Sequence, residues 1–179
     1  MNREIRFFDY EKCYRHYVKC IESIRQKRIN GETIVAKPVL MVALIDAIDV
    51  NVFANNKFVI NDWLEVRYKS LMLQYAKDSQ FDNTTGIEKP FWHLESDGFW
   101  HLNYPGERLS KGKTPSKVWL KETVEFAYFD ESLWFLLQNK EWRLRLRDYI
   151  IEHKLTDDSW FGKIAAEGLG AISALILAA

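Results

Sequence analysis

Cysteine, glycine and proline are scarce in this chain of 179 residues, which contains two, eight and four of them. Two cysteines cannot build the disulfide framework of a small secreted domain, and so little glycine and proline excludes a low-complexity or collagen-like chain. Cys13 and Cys20 lie on one predicted helix about 10 Å apart along its axis, too far for a disulfide. We therefore predict two buried free thiols and a cytoplasmic location.

An excess of charge of one sign is also missing, because 25 basic residues balance 25 acidic ones. The overall field cannot attract nucleic acid, so any such binding must come from a local patch. The N-terminus lacks a signal-peptide pattern. The most apolar segment, Gly168–Ala179, is shorter than the about 20 residues that a membrane span requires. We expect no membrane span, a single domain at residues 1–158, and an apolar C-terminal helix or interaction tail at 159–179.

Motifs for catalysis are absent as well: no HExxH, CxxC, glycine-rich phosphate loop or GxSxG sequence occurs. His93 and His101 could face each other across a hairpin, but Glu95 is the only carboxylate expected beside them, which is too few ligands for a metal site. We expect no catalytic residue, no metal and no cofactor. An enzyme is therefore favoured less than the two binding functions described at the end of this subsection.

Apolar residues, by contrast, make up 47% of the chain and recur at helical spacing in several segments. Asn30-Gly31 is expected to end the first helix, and Asp62 with Glu65 fits a capping box for the third. Lys57–Ile60 is long enough only for a short strand. Helices are predicted over Asp9–Arg28, from Lys37-Pro38 to Asp49, over Ile60–Lys77, from Thr114-Pro115, from Asp130-Glu131 and over Lys140–His153.

The aromatic segment Phe91–Leu102, FWHLESDGFWHL, is predicted to be a β-hairpin. A three-residue loop, Ser96-Asp97-Gly98 with Gly98 left-handed, places Trp92, Leu94, Trp100 and Leu102 on the core face and His93 opposite His101 on the outer face. The predicted fold class is therefore α+β and mainly helical: a winged-helix-like core with an aromatic β-hairpin, plus flanking N- and C-terminal helices.

In a winged helix, the second helix of the pair can enter the major groove of DNA while the hairpin lies along the backbone. The exposed face of the third predicted helix offers donors and acceptors suited to bases and phosphates; the alternative is an ordinary solvated face. A basic loop could likewise contact phosphate or be a simple surface loop. The arginines at 143, 145 and 147 have acidic neighbours and favour local pairing. The candidate DNA contacts on the helix are Arg67, Ser70, Gln74 and Lys77, and those in the loop are Arg108, Lys111 and Lys113.

Residues 89–100, KPFWHLESDGFW, resemble the motif Tyr-Pro-Phe, two residues, Leu, two residues, Asp-Gly, one residue, Trp. That motif occurs in the N-terminal DNA-recognition domain of predicted HNH-type restriction endonucleases, which include the sulfur-binding domains that detect phosphorothioate-modified DNA. Lys37–Asp46 and Phe129–Leu137 are similar to two helices of the same family. The resemblance spans about residues 37–155, and no HNH nuclease motif accompanies it.

This resemblance implies that basic side chains grip double-stranded DNA while a shallow apolar depression, which includes the proline of the motif, accepts the backbone sulfur. Pro90 is the matching proline, and Lys89 stands in place of the tyrosine, adding a positive charge and removing an aromatic ring. The candidate DNA contacts at the predicted hairpin are Lys89, Pro90, Phe91, His93 and His101.

Two functions from different classes follow. The first is a DNA-binding recognition module of a bacterial restriction or defence system, with phosphorothioate DNA as the candidate ligand and a separate nuclease as the candidate partner. The alternative is a protein–protein adaptor on a winged-helix scaffold, in which the apolar C-terminal tail forms the interface or a homo-oligomer contact.

Overall fold

The computed structural model describes residues 8–76, 79, 85–107 and 113–156. Helices predominate over two small antiparallel sheets, which confirms the α+β, mainly helical class. A 3₁₀ turn, Leu94–Asp97, follows α4, and a π-helical turn, Ile151–Leu155, follows α7. The elements are α1 Tyr10–Glu22, β1 Arg28–Ile29, β2 Glu32–Thr33, α2 Ala36–Asp49, α3 Asp62–Tyr75, α4 Glu88–His93, β3 Trp100–Asn103, α5 Lys117–Thr123, β4 Phe126–Phe129, α6 Glu131–Gln138 and α7 Lys140–Ile150.

Helix α2 is the centre of the molecule. Its residues from Val39 to Ile45 are fully buried, because α3, α4, α6 and α7 pack around it. Pro38 lies in its first turn, where a missing N–H costs no hydrogen bond. The predicted central helix is thus confirmed, and the elements that surround it are held in fixed relative positions.

The segment after α1 differs from the prediction. The helix ends at Glu22, and Asn30-Gly31 turns a short hairpin between β1 and β2 instead of ending a helix. Both turn residues have positive φ, 48° and 89°, which is the conformation that a two-residue hairpin turn requires and that Asn-Gly adopts readily. This β1–β2 hairpin therefore projects beside the start of α2.

The predicted aromatic hairpin is wrong. Residues 88–97 form α4 and the 3₁₀ turn, and only Trp100–Asn103 is a strand, which pairs antiparallel with β4. Phe91 and Leu94 are three residues apart and both are buried. A helix places residues at this spacing on one face, so the pattern of apolar residues fits a helix as well as a strand. Gly98 is left-handed as predicted, with φ 90°. The winged-helix arrangement rested on that hairpin and is not confirmed, and His93 does not face His101.

The aromatic core is organised around Trp100. Its ring lies 5.0 to 5.5 Å from those of Phe58, Phe91 and Phe129, and its indole N–H donates to the carbonyl of Phe91 at 2.9 Å. Phe58 also forms an isolated bridge with Ala127, which is all that remains of the predicted Lys57–Ile60 strand. These contacts fasten α4 to the β3–β4 sheet.

Several helix boundaries differ from their predictions. Asn61, not Asp62, caps α3 by accepting from the N–H of Leu64 at 2.9 Å. Ser116 caps α5, two residues after the predicted Thr114-Pro115 start. The starts of α6 and α7 agree with the predictions, and both cysteines are free but only partly buried. No helix in the described ranges is long and apolar enough to cross a membrane. The tail at 159–179 lies outside the described residues.

Candidate nucleic-acid interface

A cavity of about 510 Å³ opens where the segment after α1, the β1–β2 hairpin, the start of α2 and helix α4 meet. We call it the Pro90 cavity. Its lining is Arg25, Gln26, Lys27, Ile29, Ile34, Ala36, Lys37, Thr85, Lys89, Pro90, His93, Ser96 and Thr114.

The apolar part of the lining of the Pro90 cavity, called the floor below, is formed by proline, alanine and isoleucine side chains. Pro90 and Ala36 are buried, and Ile29 and Ile34 are partly buried beside them. Pro90 lies in the first turn of α4, so its ring can line a cavity without leaving a backbone hydrogen bond broken. A ligand atom that reaches this floor meets carbon, which favours a large and weakly hydrated atom over a strongly hydrated one.

The charged part of the lining that is exposed, called the rim below, is positive. Arg25, Lys27 and Lys89 are exposed, and no carboxylate of the described residues pairs with them. Among the residues that the structure describes, no aspartate or glutamate lines the Pro90 cavity, whereas each of three other cavities on the surface includes at least one. A chain with no net charge therefore presents a local patch that attracts anions.

A nearly buried ion pair joins Lys37 of the lining to Asp97, which does not line the cavity. The ammonium of Lys37 is 2.6 Å from a carboxylate oxygen of Asp97, and their side chains are 14% and 3% exposed. The other oxygen of Asp97 accepts from the backbone N–H of Arg25 at 3.1 Å. Asp97 thereby ties the segment after α1 to α2 and to the 3₁₀ turn.

His93 completes one side of the cavity. Its Nε2 lies 2.6 Å from the hydroxyl of Thr114. Burial lowers the pKa of His93 below its usual 6.5, and the positive charge of Lys37 lowers it further. The lowered pKa favours the neutral imidazole at pH 7.

Three of the predicted contacts, Lys89, Pro90 and His93, meet at this cavity. Phe91 does not, because it is 1% exposed and packs edge-on against Trp100, so its assignment as a DNA contact is corrected. Lys113 is exposed next to Thr114. The predicted contacts Lys77, Arg108 and Lys111 lie outside the described residues.

His101 and the α3 residues lie elsewhere. His101 is on β3, where its Nε2 is 2.6 Å from Asp130, and it does not line the Pro90 cavity. Ser70 and Gln74 are exposed on α3 and line none of the four cavities above. Within the described ranges, no three His, Cys, Asp or Glu side chains come together as metal ligands.

A second group of cations is fully engaged in ion pairs. We call it the arginine face, and it comprises Arg67, Arg143 and Arg147 with Asp46 and Asp49 of α2. Arg67 and Arg147 each lie 2.6 Å from Asp46, and Arg143 lies 2.6 Å from Asp49. Arg143 also donates to the carbonyl of residue 137 at 2.8 Å. Pairing of the α7 arginines was predicted, but Arg143 and Arg147 pair mainly with α2, and Arg145 pairs with Glu11 of α1, rather than with neighbouring positions of α7.

Arg25, Lys27 and Lys37 are the basic residues of the cavity that were not predicted as contacts. Their signal was present: basic residues at 25, 27 and 28 precede an Asn-Gly turn, which indicates a basic hairpin rather than the end of a helix. The predicted helix through Arg28 hid that pattern.

Comparison with known proteins gives the same fold. The structure of the "sulfur binding domain of ScoMcrA complexed with phosphorothioated DNA" matches with a TM-score of 0.58 and 19% sequence identity, covering 77% of this chain and 86% of that chain. No curated protein matches the sequence.

The family model described as "ScoMcrA-like, DNA sulfur-binding domain" matches residues 15–160, which include every element from α2 to α7, the β1–β2 hairpin and the whole Pro90 cavity. Since this match extends over most of the chain, the protein belongs to the ScoMcrA-like DNA sulfur-binding domain family.

Proposed function

We propose that this protein binds double-stranded DNA carrying a backbone phosphorothioate, and that the Pro90 cavity receives the modified phosphate. The observation that carries the proposal is the combination of an apolar floor with unpaired cations at the rim of one cavity. The family assignment supports DNA as the ligand, and the matched structure is of a domain bound to phosphorothioated DNA.

The floor fits the sulfur. A phosphorothioate replaces one phosphate oxygen by a larger and softer atom that holds water less strongly. Contact with Pro90 and Ala36 costs such an atom little hydration, whereas an ordinary phosphate oxygen would lose hydrogen bonds to water and gain none from carbon. The difference between the two desolvation costs is the source of selectivity that we propose.

The rim fits the negative charge that both kinds of DNA carry. Arg25, Lys27 and Lys89 would contact phosphates on either side of the modified one, and a neutral His93 would add a hydrogen bond. Contacts to phosphate supply affinity without sequence preference and weaken with salt. Lys113, Ser70 and Gln74, together with Lys77, Arg108 and Lys111, stay candidates for weaker contacts along the flanking duplex.

The cellular role follows from the ligand. We propose that the domain serves a cytoplasmic restriction or defence system, in which a nuclease partner or a further nuclease domain cuts the recognised DNA. The apolar segment Gly168–Ala179 is the candidate for attachment to such a partner or to a second copy. Size-exclusion chromatography of the chain with and without that segment tests this role independently of DNA.

The decisive experiment compares two duplexes of one sequence, with and without a single phosphorothioate, by fluorescence anisotropy. We expect wild-type protein to prefer the modified duplex. Pro90→Ser places a hydroxyl in the floor and should weaken binding of the modified duplex about tenfold, since about two methylene groups of apolar contact are lost.

The matched control is Pro115→Ser. Pro115 is also buried, at the approach to α5, but does not line the cavity, so the preference should survive there. Equal binding of the two duplexes by wild-type protein would contradict the proposal, as would an equal loss of preference in both proline variants.

A further inference from the structure

Asp97 does not line the Pro90 cavity, but it forms an ion pair with a residue that does. Its carboxylate is 3% exposed and binds the ammonium of Lys37 at 2.6 Å, with Ser96 as a second and longer acceptor at 3.4 Å. Lys37 itself lines the cavity. The pair therefore decides whether a fourth cation acts inside the cavity or is neutralised by Asp97.

A free ammonium at this position would change what the cavity prefers. An ammonium is a compact and strongly hydrated charge, and it binds a compact oxygen better than a large, diffuse sulfur. Inside the cavity it would give an ordinary phosphate oxygen the hydrogen bond that the apolar floor denies it. The advantage of sulfur would then shrink.

The chain holds the carboxylate of Asp97 rigidly. The residue ends the 3₁₀ turn, and Gly98 follows it in the left-handed conformation with its N–H donating to the carbonyl of Glu95 at 3.3 Å. The second oxygen of Asp97 is fixed by the N–H of Arg25. The ammonium of Lys37 is thus held at Asp97.

We infer that Asp97 is a specificity-determining positioning residue: by holding the ammonium of Lys37 out of the Pro90 cavity, it keeps the floor apolar and preserves discrimination of sulfur from oxygen. This inference rests on the proposed function. It assigns DNA affinity to Arg25, Lys27 and Lys89, and it assigns selectivity to Pro90 together with a neutralised Lys37.

The test is Asp97→Asn, which keeps the size of the side chain and an oxygen that can accept from Arg25. The new amide N–H₂ cannot accept from Lys37, so the ammonium is released. Ordinary duplex should bind about tenfold more tightly, and the ratio of modified to ordinary affinity should fall about tenfold. The slope of log affinity against log salt for ordinary duplex should steepen by about 0.9, as expected for one added phosphate contact.

The double variant Asp97→Asn with Lys37→Met removes the released ammonium as well. Replacing both members of a buried ion pair by neutral side chains is often tolerated, so this variant remains informative even if the single variant does not fold. It should regain the wild-type affinity ratio and salt slope. A purely structural role would instead weaken both duplexes together in the single variant, with no recovery in the double one.

The two proposals fail separately. If wild-type protein does not prefer the modified duplex, the proposed function fails whatever Asp97 does. If wild-type protein prefers it and Asp97→Asn keeps the same ratio and slope, or the double variant loses the ratio, the inference about Asp97 is overturned and the proposed function stands.

Discussion

The Pro90 cavity and the arginine face are both rich in cations, but they use them in opposite ways. At the arginine face, Arg67, Arg143 and Arg147 each bind a carboxylate of α2 at 2.6 Å. At the cavity rim, no described carboxylate pairs with Lys89 or Arg25. Paired cations hold helices together, whereas unpaired ones remain available to an anion, so pairing is a better guide to the proposed DNA surface than the number of basic residues is.

The largest expected effect comes from breaking the arginine face. Arg143→Met removes a guanidinium that is 11% exposed and that joins α7 to Asp49 and to the end of α6. The free energy of unfolding should fall by about 2–3 kcal/mol, less than for a fully buried pair because Asp49 stays partly in water. Urea unfolding measures this loss.

The control for Arg143 is Arg145→Met on the same helix. Arg145 is 45% exposed and lies 3.6 Å from Glu11, so its loss should cost less than about 0.5 kcal/mol beyond its ring contact with Trp142. Duplex binding by the folded Arg143 variant should match wild type. A loss of binding without a loss of stability would place DNA on the arginine face and break the comparison.

A smaller and opposite pattern is expected at the rim. Lys89→Ala and Arg25→Ala should each lower the steepness of the salt dependence of duplex binding by about 0.9, because each removes one phosphate contact. Arg67→Ala should leave that slope unchanged, because its guanidinium is bound to Asp46. Anisotropy titrations across a range of salt concentrations measure the slopes, and a lower slope for Arg67→Ala alone would reverse the assignment.

A pH effect should follow from His93. Burial holds its pKa below 6.5 in the free protein, and a bound phosphate would raise the pKa by favouring the charged form. Binding must therefore take up protons: affinity should rise as pH falls through the pKa of the complex and level off below the pKa of the free protein. The stability of the free protein should fall over the same range, because the unfolded chain binds the proton more readily.

His93→Gln tests this assignment, since it keeps a hydrogen-bonding side chain that does not titrate. The variant should lose most of the pH dependence between pH 7.5 and about 5.5, where an ordinary histidine gains its proton. An unchanged pH profile would mean that DNA binding does not change the pKa of the His93 imidazole.

The smallest effect is expected on α3. Ser70→Ala combined with Gln74→Ala removes two exposed side chains that line no described cavity. Stability should stay within about 0.5 kcal/mol, and duplex affinity should change less than about threefold. A tenfold loss of affinity would make α3 a principal contact and would extend the interface well beyond the cavity.

The helices of the core could be predicted because their patterns are long. Residues 36–49 are apolar on nearly every side, and the Pro38 start and the Asn139–Lys140 junction carry local signals that the structure follows. A long apolar segment of this kind agrees with the final structure, because its apolar side chains are the ones that the core buries.

The aromatic segment could not be assigned in the same way. Phe91–Leu94 is too short for its period to separate helix from strand, and the partner of Trp100–Asn103 is Phe126–Phe129, more than twenty residues away. Local turn chemistry identified the left-handed Gly98 but could not identify a distant strand as the partner. The same limitation placed His101 opposite His93, whereas it lies on β3 beside Asp130.

The candidate site was predicted in part. The motif resemblance led to Lys89 and Pro90, and the outer face of the predicted hairpin led to His93. All three line one cavity. The opposite wall depends on the β1–β2 hairpin and on the contact between Asp97 and the backbone of Arg25, both of which are tertiary arrangements. Whether a cation is paired is also a tertiary property, so Arg67 and Lys89 looked equivalent in the sequence.

Hydrogen–deuterium exchange with and without a duplex carrying one phosphorothioate tests the central claim most directly. If the Pro90 cavity receives the modified phosphate, backbone amides at residues 25–37 and 88–97 should exchange more slowly in the complex, while those of α7 should not change. Slower exchange in α7 and α3, with no change at residues 25–37 and 88–97, would contradict the account.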